Sequence, residues 1–264
     1  MQLNTDRLMA KKEGAIGWLT FNNPARLNAM SQEMWQGTAN VMADFGADPA
    51  IRVVVMKGAG DKAFVSGGDI SEFEKTRNSA EAAAIYGQVA NKARLAMSGL
   101  EKPLIAMIRG YCLGGGLGVA LNADLRIASS DSRFGIPAAR LSIAYGFEGV
   151  KTLVSLVGPA VAKQILFTAR RYPAETALRM GLIEEVTAPE DLESVVRSYA
   201  ETIADNAPLS IRASKLTIAQ VLTDESERDM ELLKELSREA LNSHDAREGR
   251  QAFMEKRKAQ FLGR

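Results

Sequence analysis

Three consecutive glycines, Gly114, Gly115 and Gly116, stand between an apolar run and a stretch of small residues, and they limit what this chain can fold into more than any other feature. Leu104 to Ile108 follows Pro103 and precedes Arg109-Gly110, which reads as a buried strand. Leu117, Gly118, Val119, Ala120 and Leu121 then open a helix. A strand that enters a helix through a glycine turn leaves backbone N–H groups free at the helix start, where negative charge is held. A dinucleotide fingerprint needs glycine at i, i+2 and i+5, and the third position here is Val119. A Walker loop needs Gly-Lys-Ser/Thr, and the sequence has none. A packing turn or a donor for another kind of anion remains.

A second stretch repeats the pattern. Ile51 to Lys57 is a buried-strand run, followed by a Gly58-Ala59-Gly60-Asp61 turn and then by Ala63 to Ile70 with Gly67-Gly68 inside it. Asp69 and Glu72 have the spacing of a capping box, which predicts a helix start there. One such turn is a packing device, whereas two can present two N–H donors to a single oxygen.

Bulk properties exclude several classes. The chain has 264 residues, 46% of them hydrophobic, enough for a large core. Its 33 basic and 32 acidic residues nearly cancel, so no global field attracts nucleic acid or an anionic membrane. One cysteine, Cys112, forms no internal disulfide and builds no thiolate metal cage. The only histidine, His244, sits in a polar C-terminal context and reads as a solvated helix residue, which disfavours a serine-hydrolase triad and a histidine-ligated metal. No apolar run approaches the roughly 18 residues of a membrane span, and Met1 to Gly14 is polar without a signal-peptide core. The expectation is a cytoplasmic chain with no bound metal, no nucleic acid and no membrane.

Asn23-Pro24 with Leu27-Asn28-Ala29, Phe64 to Asp69, Gly110 to Asp124, Phe134-Gly135-Ile136-Pro137, Gly181-Leu182-Ile183 and Glu248-Gly249 to Phe261 together resemble the landmarks of the crotonase (enoyl-CoA hydratase/isomerase) superfamily, in its order. The likeness covers almost the whole chain. It implies an α/β spiral of ββα units over residues 1–188 that holds an acyl-CoA site, and a helical oligomerisation region over 189–264. It also implies a homotrimer or hexamer, with coenzyme A entering as part of the thioester substrate rather than as a covalently bound cofactor. The matching oxyanion donors are the backbone N–H groups of Gly68 and Gly115. The matching coenzyme positions are Arg26, Ala29, Ser66, Asp69 and Ile70, with Phe253 and Lys256 on the last helix reaching an adjoining subunit.

The acid–base pair departs from the family pattern. Hydratases of the family carry one glutamate three residues after the middle glycine and another directly after the proline of the FG-x-P segment. Here those positions are Gly118 and Ala138. Glu148, in the loop before a helix at Val150, is the candidate replacement, and a helix N-terminus favours its ionised form. Arg140 and Tyr145 belong to the same loop. Three readings follow: an isomerase, a decarboxylase or a hydratase/lyase that involves Glu148, with an unusual acid–base set; an acyl-CoA binder with weak chemistry; and an RNA- or protein-binding module, whose only basic run is Lys256-Arg257-Lys258.

The remaining segments read as helices and short strands. Trp18 to Phe21 is the first clear strand, Ser31 to Phe45 a helix, and Ser79 to Leu100 a second long helix with Ile85, Val89 and Leu95 inward. Ser71 to Asn78 is a polar segment suited to covering a substrate. Leu125 to Ala128 and Arg133 to Ile136 are strands, and Val150 to Val157 and Ala160 to Thr168 are helices divided at Gly158-Pro159. Leu182 to Val186 is the closing strand. Four helices follow, over Pro189 to Asp205, Pro208 to Leu222, Asp224 to Leu241 and Asp245 to Phe261.

Overall fold

The computed structural model describes residues 3–69, 72 and 79–264; the polar segment from Ser71 to Asn78, apart from Glu72, lies outside these. Among the described residues, ten strands form two sheets. The larger has the order β1-β2-β3-β5-β7-β10, made of Leu8–Glu13, Ile16–Phe21, Val53–Gly58, Leu104–Ile108, Leu125–Ser129 and Glu185–Thr187. The smaller has the order β4-β6-β8-β9, made of Ala63–Val65, Tyr111–Leu113, Arg133–Gly135 and Tyr172–Pro173. All pairings are parallel except β1 with β2 and β8 with β9.

The chain visits the sheets alternately. β3, β5 and β7 lie in the large sheet, and each is followed at once by β4, β6 or β8 in the small one. The pairs lead on to α2 (Ala80–Ser98), α3 (Gly115–Ala120) and α4 (Phe147–Thr168), after α1 (Gln32–Ala47) has opened the fold. This is the spiral of ββα units that the family resemblance implies.

Burial on both faces explains the continuous apolar runs. Leu104, Ala106 and Ile108 face one core with Val54 and Met56, while Ile105 and Met107 face the other with Val53 and Val55. The second core is closed by Leu192, Val196 and Ala200 of α6 (Leu192–Asp205), so this helix packs directly on the large sheet. The short α5 (Ala174–Arg179) precedes it, and α7 (Pro208–Val221), α8 (Met230–Asn242) and α9 (His244–Glu255) complete the chain.

Several boundaries differ from the sequence reading. β1 pairs with β2 where the first fourteen residues read as merely polar, because an edge strand with one wet face shows little alternation. On α2, Ile85 and Leu95 are 47% and 60% exposed instead of inward. The inward face carries Tyr86, Ala93 and Met97, since small residues there allow close approach to α1. The division expected at Gly158-Pro159 is present as a kink, since Gly158 has a non-helical backbone (φ 73°, ψ 165°); the first helix starts earlier, at Phe147, and the whole span to Thr168 is by length and composition alone apolar enough to cross a membrane. The last helix ends at Glu255 rather than Phe261, because Lys256 adopts a left-handed conformation (φ 53°) and the tail folds back. Asp245 accepts the amides of Leu262 and Gly263, and Glu248 accepts Arg257 and the Gln260 amide.

Gly116 lets α3 lie on β4: a Cβ there would sit 1.9 Å from the Val65 carbonyl oxygen. Gly87, inside α2, would meet nothing within 4 Å. In urea denaturation, Gly116→Ala is expected to lose about 1–3 kcal/mol or more, and Gly87→Ala to gain about 0.5–1 kcal/mol. Equal midpoints for the two variants would contradict this packing.

Candidate active site

The Gly68 amide is set by its neighbours. The Met30 amide donates to the Gly67 carbonyl at 2.8 Å, and the Asp69 amide donates to the Met30 carbonyl at 2.9 Å. A trans peptide points its N–H opposite its C=O, so the Gly67 carbonyl facing Met30 turns the Gly68 N–H to the other side. Asn28, buried and left-handed (φ 56°), supports this clamp from behind. Its side-chain amide donates to the carbonyls of Ala59 at 3.0 Å and Ala63 at 2.7 Å, and its side-chain oxygen accepts the Asn23 amide at 2.9 Å.

The Gly115 amide follows the same logic. The Gly114 carbonyl accepts the Gly118 amide at 3.1 Å, down the helix. The Gly115 N–H in the same peptide therefore points out of the helix start. Gly67 (φ 129°) and Gly114 (φ 53°) precede the two amides in conformations that L side chains rarely adopt. The two turns meet: a Cβ at Gly115 would lie 3.6 Å from the Gly68 nitrogen. Among the described residues, neither amide donates to another protein group.

Both glycines line a cavity of about 630 Å³, together with Ser66, Gly118, Ala138 and Tyr145. Trp35, Leu121, Ile136, Leu141 and Ile143 give it an apolar wall. Among the described lining residues there is no carboxylate, and Arg94 is the only charged side chain. Tyr145 occupies the place beside Gly118: a Cβ at Gly118 would lie 3.0 Å from the Tyr145 hydroxyl, and one at Gly149 would lie 2.6 Å from the ring. Two glycines thus make room for one phenol.

The structure brings Gly68, Gly115 and Ser66 together. The Ser66 hydroxyl donates to the Arg26 carbonyl at 3.5 Å, and the Ala29 amide donates to the same oxygen at 3.0 Å. The Arg26 side chain is exposed, while Ala29 and Asp69 are buried. Ile70 lies outside the described residues. Glu148 is exposed in the first turn of α4 and is not brought to the wall, which Gly146, Gly149 and Thr152 line instead. Arg140 is likewise exposed and away from the wall. Phe253 on α9 and Lys256 just after it are exposed and do not line this cavity.

Sequence reasoning missed Arg94 and Asn91. With Gly87 and Ala90 they occupy i, i+3, i+4 and i+7 on α2, a helical face that turns to the cavity. His244 is exposed, as expected. The described residues hold no cluster of three or more metal-binding side chains.

A two-sheet spiral with paired glycine amides on an apolar cavity defines a crotonase-fold protein. The family model for enoyl-CoA hydratase/isomerase matches residues 11–264, and the chain belongs to that family within the crotonase superfamily. It is 37% identical to the short-chain-enoyl-CoA hydratase of Clostridium acetobutylicum, over 98% of this chain and 97% of that protein. It is 34% identical to the crotonyl-CoA hydratase of Syntrophomonas wolfei, over 98% and 99%. The crystal structure of an enoyl-CoA hydratase/carnithine racemase from Magnetospirillum magneticum superposes with a TM-score of 0.94 at 34% identity, over 99% of this chain and 97% of that one.

Burial pushes the Tyr145 hydroxyl up to about 12 from an ordinary 10.0, with Arg94 pulling the other way. The folded chain therefore holds this proton to higher pH than the unfolded chain. Its stabilising contribution is whole below pH 10 and is lost as pH rises to about 12. Urea melts across that window should show a shallower loss of stability in Tyr145→Phe than in wild type. Parallel curves would contradict the burial of this hydroxyl.

Proposed function

We propose that this chain is an acyl-CoA-processing enzyme that stabilises a thioester enolate with the backbone amides of Gly68 and Gly115. The observation that carries the reading is the convergence of these two amides on one cavity. Charge building on a thioester oxygen is stabilised by fixed N–H dipoles without reorganisation, and an apolar wall strengthens them. Coenzyme A enters as the carrier part of the substrate. Arg26, Ala29, Ser66, Asp69 and Ile70 are the proposed contacts on this chain, and Phe253 and Lys256 are the proposed contacts to the site of a neighbouring copy.

Standard hydration needs one group to activate water and another to deliver a proton. Gly118 and Ala138 supply neither, so we place the chemistry in enolate-forming isomerisation, decarboxylation or lysis. Glu148 is the proposed base; its carboxylate is exposed in the first turn of α4, next in sequence to the wall residue Gly149. A second reading, a binder with little turnover, is favoured by the lack of a carboxylate among the described lining residues. Association into a homotrimer or hexamer is supported by the exposed apolar side chains of Phe147, Phe167, Val221, Leu222, Phe253 and Met254.

Gly115 is the first residue of α3, where proline is tolerated because the N–H is unused by the helix. Assayed against enoyl-, β-ketoacyl- and malonyl-CoA, Gly115→Pro should lower kcat about a hundredfold or more while leaving the fold intact by circular dichroism. An unchanged kcat would remove the Gly115 amide from the mechanism. In the same panel Glu148→Gln should lose most of its turnover, and wild-type rates would exclude Glu148 as the base. Tight binding of every thioester with no turnover would favour the binder.

A further inference from the structure

Among the described residues, Arg94 is a cation without an anion. It lies on α2, half-buried, with its guanidinium hydrogen-bonded to the side-chain oxygen of Asn91 one turn earlier. No carboxylate lies within ion-pair distance of it among the described residues. It is also the single charged side chain among the described lining residues of the cavity. Its charge reaches the Tyr145 hydroxyl, which covers Gly118 next to the paired amides. Drawing a guanidinium partly out of water beside an apolar wall is costly unless an anion meets it. A guanidinium fork fits a carboxylate.

We propose that the acyl group taken by this cavity itself bears a carboxylate, which pairs with Arg94 while the thioester carbonyl faces Gly68 and Gly115. The proposal rests on the acyl-CoA reading and adds the class of acyl group to it. A phosphate of coenzyme A offers the same chemistry to a guanidinium, and the experiment separates the two sources.

Saturated thioesters allow binding to be read without turnover. Succinyl-, glutaryl- and adipyl-CoA differ from butyryl-, valeryl- and hexanoyl-CoA by a terminal carboxylate in place of a methyl group. By isothermal titration calorimetry with the full chain, wild type should bind the carboxylate member at least about tenfold more tightly at the best-fitting length, as one charge-assisted contact supplies. Arg94→Met should lose that preference while keeping its affinity for the neutral partner, and Arg94→Lys should retain part of it. Circular dichroism of both variants controls for folding. A wild type that binds the neutral member as tightly at all three lengths overturns the proposal. So does an Arg94→Met variant that loses affinity equally for both members, which would assign Arg94 to a coenzyme phosphate. Failure of all six thioesters to bind would instead overturn the acyl-CoA reading beneath it.

Discussion

The hydrogen bond from the Met30 amide to the Gly67 carbonyl governs the site. Through peptide planarity it turns the Gly68 N–H away from Met30, with the Gly68 nitrogen beside Gly115 at the start of α3. The Gly114 carbonyl, held by the Gly118 amide, does the same for Gly115 from the opposite side. Neither donor depends on a side-chain rotamer. Both are fixed by backbone that the two sheets hold in place, so the donors are oriented before any ligand arrives. Asn28 secures the arrangement by joining the turn at Asn23 to the segments before and within β4.

The rest of the cavity takes its character from what surrounds that pair. Glycines at 118 and 149 admit the ring and hydroxyl of Tyr145 where a larger residue would exclude them. The wall is apolar, and its one charge among the described residues is positive. An electric field of one sign around two N–H dipoles suits negative charge on a bound ligand, at the carbonyl oxygen and at a second point near Arg94. The fold supplies this environment at the meeting of its two sheets, where β4 and β6 each end in a glycine turn.

The glycine turns and the buried strands were legible in the sequence because each has a local signature, whereas the spiral order followed from the family resemblance. The runs at Val53 to Met56 and Leu104 to Ile108 are apolar on both faces, and the turns after them are rich in glycine. Shorter pieces were not legible. β6, β9 and α5 have three, two and six residues, too few for a period to show. On α2 the large apolar side chains of Ile85 and Leu95 pointed to the wrong face, since alanines and Met97 pack on α1. Arg94 and Asn91 belong to a polar helical stripe that sequence alone does not distinguish from a solvated face. Glu148 illustrates the reverse case: its place in the chain suggested the cavity, but the helical turn gives the wall to Gly149 and leaves the carboxylate exposed.

The central claim is that two backbone amides polarise one thioester carbonyl, and vibrational spectroscopy of the bound carbonyl tests it most directly. A saturated acyl-CoA carrying a ¹³C label at the thioester carbon gives an isotope-difference band that belongs to that bond alone. Donation from Gly68 and Gly115 predicts a stretching frequency below that of the same thioester in water. A frequency equal to the aqueous value, or raised as in an apolar solvent, would contradict the account.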